Sequence, residues 1–190
     1  MPAHAQTSTA AIVAAGRRLL EERGADALTM RDVAGAVGVR APSLYKRVRD
    51  RTDLFRLILE DVTDELTEAM DAAAGSGDPV ADLRAMAEAY RAFAHANPVA
   101  WGLLIAPQPQ PGATERSVRS SATLLRTVAA LAGERDALPA ARTLVPWVQG
   151  FVTMELAGTF RLGGDVEQAW RFGLDHLLIA ISRPDPASRP

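Results

Sequence analysis

A short basic segment holds the side chains best suited to chemistry with a charged partner. From Arg40 to Arg51 the chain carries five basic residues and one acidic residue, Asp50, which gives a local charge of +4. Such a balance favours contacts with phosphate groups, the dominant source of affinity for nucleic acids. A solvated helix face with no partner is the alternative explanation.

The charge is unevenly divided along the chain, which is 190 residues long and has a formal net charge of -2. Residues 1–60 carry ten basic and seven acidic side chains, so that the remaining 130 residues have a charge of -5. An average near neutrality therefore does not exclude a nucleic-acid partner.

Metal and catalytic sites have little support in the sequence. The chain has no cysteine and three histidines, His4, His95 and His176, none of which has a second ligand at metal-site spacing beyond Asp175 next to His176. It also has no P-loop, no dinucleotide-binding glycine pattern and no nucleophile elbow. We therefore expect no cofactor, no metal and no enzymatic activity.

The hydrophobic period is helical almost throughout, and it predicts an all-α fold of nine helices. The first helix closes at Gly24, and the second begins at Thr29, where Asp32 completes a capping box and Leu28 can pack on Val33. The third has Pro42 in its first turn and Ala41 as its expected cap.

The later helices have equally local start signals. Asp50 and Asp53 open the fourth helix, and prolines at 79 and 98 follow the starts of the fifth and sixth. The spacing predicts further helices over about 115–132, 139–162 and 166–181. We expect two domains, over 8–53 and 54–182, and a frayed tail over 183–190.

The second and third helices, joined by a short turn at Gly38, have the arrangement of a helix-turn-helix. This motif places its second helix in the major groove of DNA. The cationic segment begins at that helix, so the sequence predicts it to be the reading helix.

These residues resemble the N-terminal signature of the TetR family of transcriptional regulators. The resemblance is carried by Thr29, Ala34, Gly38-Val39, Leu44-Tyr45 and Arg51. Two positions depart from the family pattern, since Arg40 stands where a serine usually caps the helix and Val48 stands where a phenylalanine usually closes it.

The resemblance implies two groups of DNA-contacting residues. Thr29, Tyr45, Lys46 and Arg51 would hold phosphates, and Arg40, Ala41, Ser43 and Leu44 would face base edges. Arg40 would be placed for bidentate readout of guanine. For Tyr45, a half-buried aromatic side chain is the alternative.

The remainder resembles a C-terminal ligand-binding class of the same family through Trp147-Val148-Gln149-Gly150-Phe151 and Gly158-Thr159-Phe160, with Gln149 in place of a histidine. The resemblance implies a homodimer, a cavity in the C-terminal bundle, and release of DNA when a small molecule enters it.

Large soft or aromatic residues are the expected lining of that cavity, although core packing also explains them. They are Met86, Tyr90, Phe93, Trp101, Trp147, Phe151 and Met154. Mostly small residues on the last two helices are the expected dimer interface, with packing within one chain as the alternative. They are Gly150, Ala157, Gly158, Ala169, Gly173 and Leu177.

The sequence thus predicts a homodimeric, ligand-responsive repressor, with a pseudo-palindromic double-stranded DNA operator and a small, largely apolar effector as partners. We expect its DNA-binding domain over 8–53 and its ligand-binding and dimerisation domain over 54–182. An activator of the same fold is the alternative. The absence of a long apolar run and of a leader pattern at residues 1–6 favours a cytoplasmic protein with no membrane partner. The rival interpretation is an all-helical carrier or enzyme whose basic segment is incidental.

Overall fold

The computed structural model describes residues 8–106 and 115–182, and within these ranges the chain forms nine α-helices and no β-strand. The all-α prediction is confirmed for this part of the chain. The helices are α1 (Thr9–Arg23), α2 (Met30–Ala36), α3 (Ala41–Leu44), α4 (Arg51–Ala73), α5 (Pro79–Ala96), α6 (Pro98–Ile105), α7 (Glu115–Ala132), α8 (Ala137–Leu156) and α9 (Val166–Ile181). None of the described helices is long and apolar enough to cross a membrane.

The first of two compact units contains Met1–Glu65 and Ala96–Pro109, and so includes α1 to α3, most of α4, and α6. The start of α1 is capped by Ser8, whose hydroxyl accepts a hydrogen bond from the Ala11 N–H at 3.1 Å. Its predicted end at Gly24 is confirmed by a φ of 80°. Ile12, Leu20 and Leu54 are fully buried in the core of this unit.

Polar side chains of α1 attach the neighbouring helices. The Arg17 guanidinium donates to Asp61 at 3.1 Å, to Glu65, and to the Asn97 side chain at 2.8 Å. The Glu21 carboxylate accepts from the backbone N–H groups of residues 99 and 100 at 3.0 and 2.8 Å, and thereby caps α6. These contacts place α6 and α4 up to Glu65 in the first unit, whereas the sequence predicted a domain boundary after residue 53.

The helix-turn-helix is built as its local signals predict. The Thr29 hydroxyl accepts from the Asp32 N–H at 3.2 Å and donates to the Asp32 carboxylate at 2.5 Å. The turn after α2 contains Gly38 with φ 71°, a backbone conformation that glycine adopts without strain. The predicted cap at Ala41 is wrong by one residue, because the Ser43 N–H donates to the Arg40 carbonyl at 2.8 Å and Arg40 is the N-cap.

The second compact unit contains Leu66–His95 and Gln110–Pro190. Its α9 starts at Asp165, whose carboxylate accepts from the N–H groups of Glu167 and Gln168. The prediction that α8 continues to Leu162 is wrong. The helix ends at Leu156 because Gly158 has φ 61° and its N–H bonds the Glu155 carbonyl at 2.9 Å, which turns the chain out of the helix.

Candidate nucleic-acid interface and internal cavity

Exposed polar residues flank α3, the predicted reading helix. Tyr45 is 52% exposed, and Lys46 and Arg47 beside it are exposed as well. Arg40 is exposed and makes no side-chain capping bond. Its guanidinium is therefore not used to cap the helix.

Two apolar side chains hold this helix in the core of the first unit. Leu44 and Val48 are both completely buried. The prediction that Leu44 faces base edges is therefore wrong, because the side chain is inaccessible to any partner. Val48, which stands where the family usually has a phenylalanine, is also fully buried. Leu44 and Val48 together attach α3 to the core.

The remaining predicted contacts differ in accessibility. Ala41 and Ser43 are half-buried and lie within α3, between the exposed Arg40 and Tyr45. The Thr29 hydroxyl is engaged with Asp32, so its first role is to cap α2.

Arg51 is occupied by backbone groups of the preceding loop. Its Nε donates to the Leu28 carbonyl at 3.0 Å, and its Nη2 donates to the Ala25 carbonyl at 2.6 Å. The guanidinium also lies 4.6 Å from the centre of the Phe55 ring. Arg51 thus ties the start of α4 to the loop between α1 and α2, which is a structural use that the sequence did not predict.

Asp53 fixes the segment that leaves α3. Its carboxylate accepts from the Arg49 backbone N–H at 3.0 Å and from the Arg56 guanidinium at 2.8 Å. These hydrogen bonds, that of the Arg49 N–H first, hold the pKa of Asp53 well below its ordinary value. Asp53 was predicted only as a helix-start signal, and its second use depends on a fold that brings residue 49 back to α4.

Four exposed cations of this region form neither a side-chain hydrogen bond nor an ion pair with another described residue. They are Arg31, Arg40, Lys46 and Arg47. The sequence analysis counted Arg31 and Arg47 only toward the charge and named neither as a DNA contact. We call these four residues together with Tyr45 the basic set.

The second unit contains a partly open cavity of about 170 Å³. Its walls come from the end of α4 and from α5, α7 and α8. The lining residues are Met70, Leu83, Met86, Ala87, Tyr90, Ser120, Ser121, Leu124, Leu144, Val145 and Val148.

Two of the seven residues predicted to line a cavity do so, Met86 and Tyr90. The other five do not line this cavity. Phe93 is buried in the core, Trp101 belongs to the first unit, and Met154 is 47% exposed. Trp147 and Phe151 lie in an aromatic cluster, with ring centroids 5.4 and 5.2 Å from that of Trp170.

Some of the lining residues that the sequence analysis missed could have been found from their spacing. On α5, Leu83, Met86, Ala87 and Tyr90 follow the spacing of one helix face. The choice of large aromatic residues overlooked Ala87 and the two serines of α7, whose small size leaves the space open.

An ion-pair cluster centred on the largely buried Arg91 and Glu155 joins three helices of this unit. Arg91 on α5 holds Glu155 on α8 through two hydrogen bonds of 2.9 and 2.6 Å, and Glu167 on α9 through one of 2.6 Å. His95 Nε2 lies 3.0 Å from Glu155. The Arg91 guanidinium, with a smaller contribution from His95, lowers the pKa of Glu155 below its ordinary value of 4.5.

The predicted dimer residues have mixed surroundings. Gly150, Ala157 and Ala169 are exposed, and Leu177 is half-buried. Gly158 is required by the turn that ends α8. Gly173 is small because of a contact within the chain, since a Cβ placed there would lie 2.2 Å from Cζ2 of Trp147.

Two family models match the chain. Residues 12–58 match the model of bacterial regulatory proteins of the tetR family, and residues 83–177, half of the chain, match the tetracyclin repressor-like C-terminal domain. The chain belongs to the TetR family. The resemblance inferred from Thr29 to Leu54 is thereby confirmed, and the first match contains all the residues of the basic set.

Relatives with assigned names agree with this membership. HTH-type transcriptional regulator Rv1816 of Mycobacterium tuberculosis is 35% identical over 126 residues, which is 64% of this chain and 53% of the relative. The chain thus spans about half the length of this relative. Uncharacterized HTH-type transcriptional regulator Rv0681 of the same organism is 29% identical over 81% of this chain and 72% of that protein.

Solved structures share the TetR fold. A protein of unknown function from Rhodococcus sp. RHA1 has a TM-score of 0.79 at 26% identity, covering 92% of this chain and 95% of that one. A TetR variant from Acinetobacter baumannii AYE in complex with minocycline has a TM-score of 0.67 at 25% identity, covering 91% and 95%.

Proposed function

We propose that this TetR-family chain is a DNA-binding transcriptional repressor that a small, largely apolar effector releases from its operator. The basic set carries the proposal, because exposed cations surround a helix that Leu44 and Val48 anchor from below. Because the cations of the basic set are not held in internal ion pairs, they can contact phosphates and base edges without first breaking such pairs.

The proposal includes a homodimer. Apolar side chains are exposed along α8 and α9, among them Val145, Phe172 and Ile179. Exposed apolar residues of this size favour a protein interface. Two reading helices related by a twofold axis would bind half-sites about 34–36 Å apart, and hence a pseudo-palindromic operator.

The cavity of the second unit is the proposed effector site. A solved relative of the same fold holds minocycline, which supports a ligand-binding role for this class of bundle. Helix α4 starts next to the Asp53 contacts of the first unit and contributes Met70 to the cavity of the second. An effector that prefers one position of α4 would shift the DNA-competent population by no more than its differential affinity for the two states.

Selection of bound fragments from the host genome tests the proposal. We expect a pseudo-palindrome bound with a dissociation constant of about 10⁻⁸–10⁻¹¹ M at physiological salt. A carrier or enzyme with an incidental basic segment would enrich no sequence, and that result would contradict the proposed function. An operator that overlaps a promoter supports repression, and one upstream of it supports activation.

Lys46→Ala should weaken binding to all duplexes together. Loss of one phosphate contact reduces the slope of log K against log salt by about 1. Arg51→Ala is the matched control, because its guanidinium is bonded to Leu28 and Ala25. We expect Arg51→Ala to lower thermal stability and leave the salt slope unchanged. A slope reduced equally by both variants would show that Arg51 contacts phosphate as well.

Arg40→Ala should relax the choice of base at one position in each half-site. Loss of a bidentate base contact costs about 1–3 kcal/mol for the preferred base and little for the others. The measurement is the affinity for the selected operator and for its three single-base variants at each position. Equal weakening for every sequence would contradict a base-reading role.

A further inference from the structure

Arg17 on α1 holds two other segments of the first unit at once. Its side chain is only 15% exposed, and its Nη1 donates to Asp61 at 3.1 Å and to Glu65, both on α4. Its Nη2 donates to the side-chain oxygen of Asn97 at 2.8 Å, directly before α6. A planar guanidinium has donors on separate nitrogens, so a single side chain can keep both partners at a fixed separation.

Glu65 and Asn97 lie where the chain passes between the two units. The chain leaves the first unit after Glu65 and returns to it at Ala96. Glu65 is therefore the last residue on the outgoing side, and Asn97 is the second residue after the return. We call these two points the crossings. Arg17 holds both of them from within the first unit.

Glu21 adds a second attachment on the α6 side. It follows Arg17 by four residues and therefore lies on the same face of α1. Its carboxylate accepts hydrogen bonds from the N–H groups of Val99 and Ala100 in the first turn of α6, where a negative charge is favoured. The start of α6 is thus fixed to α1 by this cap and by the bond to Asn97.

The two helices that reach the crossings also contribute to the cavity of the second unit. Helix α4 provides Met70, and α5, which ends at Ala96, provides Tyr90. Packed helices transmit displacements along their length as stiff elements. A shift of α4 or α5 would therefore reach Glu65 or Asn97, and both of these residues are bonded to Arg17.

We propose that Arg17 is a positioning residue for operator binding, which couples α4 to α6 at the crossings and keeps the first unit in its DNA-competent arrangement. Arg17 lies on α1, outside the basic set, and acts through Glu65 and Asn97. This inference rests on the proposed function only in assigning operator binding to the first unit.

Amide hydrogen exchange of the full chain without DNA tests the coupling. The reporter is the Trp101 N–H, which donates to the Asn97 carbonyl at 2.9 Å in the first turn of α6. Asp61→Asn combined with Glu65→Gln removes the α4 charges that anchor Arg17, and should speed this exchange about two- to fivefold. The same pair should have no effect in an Arg17→Gln background. An unchanged rate, or an effect that persists without Arg17, would overturn the coupling.

Arg17→Gln should lower the affinity for the selected operator by about tenfold. The slope of log K against log salt should not change, because no phosphate contact is lost. Arg18→Gln is the matched control, since Arg18 is on the same helix, is 62% exposed and pairs with Glu22. Unchanged affinity in Arg17→Gln, or equal losses in both variants, would contradict the positioning role. A slope reduced by about 1 would show that Arg17 contacts phosphate directly, and would contradict it as well.

Arg17→Lys separates positioning from stability. An ammonium keeps a positive charge beside the carboxylates of α4, but it offers one nitrogen in place of the two that hold the separate crossings. We expect this variant to unfold in urea at nearly the natural midpoint and to lose operator affinity almost as much as Arg17→Gln does. A variant that matches the natural chain in both measurements would show that Arg17 stabilises the first unit without positioning it, and would overturn the inference.

Failure of this inference can be told apart from failure of the proposed function. Fragment selection with the natural chain decides whether an operator is bound, and amide exchange decides the coupling without DNA. A chain that binds an operator while Trp101 exchange ignores the α4 substitutions contradicts only the inference. A chain that shows the coupling but enriches no sequence contradicts the proposed function and leaves the coupling in place.

Discussion

Gly173→Ala should destabilise the second unit by about 1–3 kcal/mol, the usual cost of an overpacked core. A Cβ at this position would lie 2.2 Å from Cζ2 and 2.9 Å from Cη2 of Trp147. The indole cannot easily move away, because it stacks on Trp170 and packs against Phe151. Relief of the contact would therefore disturb the whole aromatic cluster.

Gly150→Ala is the matched control on the adjacent helix. Gly150 lies inside α8, and nothing stands within 4 Å of a Cβ added there. The substitution should stabilise a subunit by up to about 1 kcal/mol, because alanine favours a helix more than glycine does. Urea unfolding of both variants measures the two effects, and a Gly173→Ala variant as stable as the natural chain would contradict the proposed rigidity of Trp147.

The same pair of variants tests the dimer. If Gly150 faces a second subunit across the twofold axis, its alanine variant should weaken the dimer and make the unfolding midpoint more dependent on protein concentration. Gly173→Ala should lower stability at every protein concentration, because its close contact is within one chain. Both glycines were predicted to lie at the dimer interface, but Gly173 packs against Trp147 of its own chain, whereas Gly150 has no neighbour of its own chain at the Cβ position.

The helix-turn-helix could be predicted from sequence because its signals are local. The cap at Thr29, the turn at Gly38 and the proline after Ala41 each act within four residues, and all three fall where the structure uses them. The charge of the segment Arg40–Arg51 can also be counted from the sequence without knowledge of the tertiary structure. Leu44 was misassigned because the family resemblance gave it a role that its burial excludes.

The cavity could not be predicted in the same way, because residue size does not determine which neighbour a side chain meets. Trp147 is one residue before Val148, and yet it packs on Trp170 while Val148 lines the cavity. Arg51 looks like a free cation in the sequence, and its carbonyl partners lie more than 20 positions away. Such pairings depend on how helices pack.

Arg91→Ala should lower the free energy of unfolding by about 2–4 kcal/mol, close to the cost of breaking a buried ion pair. The Arg91 side chain is only 13% exposed, and its removal leaves Glu155 without its two strongest hydrogen bonds. It also removes the cation that lies 4.9 Å from the centre of the Trp170 ring. Arg91→Lys should recover only part of the lost stability. An ammonium keeps the positive charge but cannot form the two parallel hydrogen bonds that a guanidinium forms with a carboxylate.

Arg171→Ala is the control for this variant, because Arg171 pairs with the same Glu167 while its side chain is 70% exposed. Exposed ion pairs contribute little to stability, and we expect Arg171→Ala to change the free energy of unfolding by about 0–0.5 kcal/mol. Equal effects of the two substitutions would show that the ion-pair cluster gains nothing from burial.

The stability difference between the natural chain and Arg91→Ala should depend on pH. In the folded chain Arg91 lowers the pKa of Glu155 below its ordinary value of 4.5, so the carboxylate is favoured by folding. This contribution is complete above the pKa of the unfolded chain and is lost as the pH falls through the lower pKa of the folded state. Denaturant unfolding between pH 7 and pH 3 should therefore show a constant difference at the upper end and a shrinking one below about pH 4.5. A difference that stays constant down to pH 3 would mean that Arg91 stabilises the bundle through packing on Trp170 and not through the charge of Glu155.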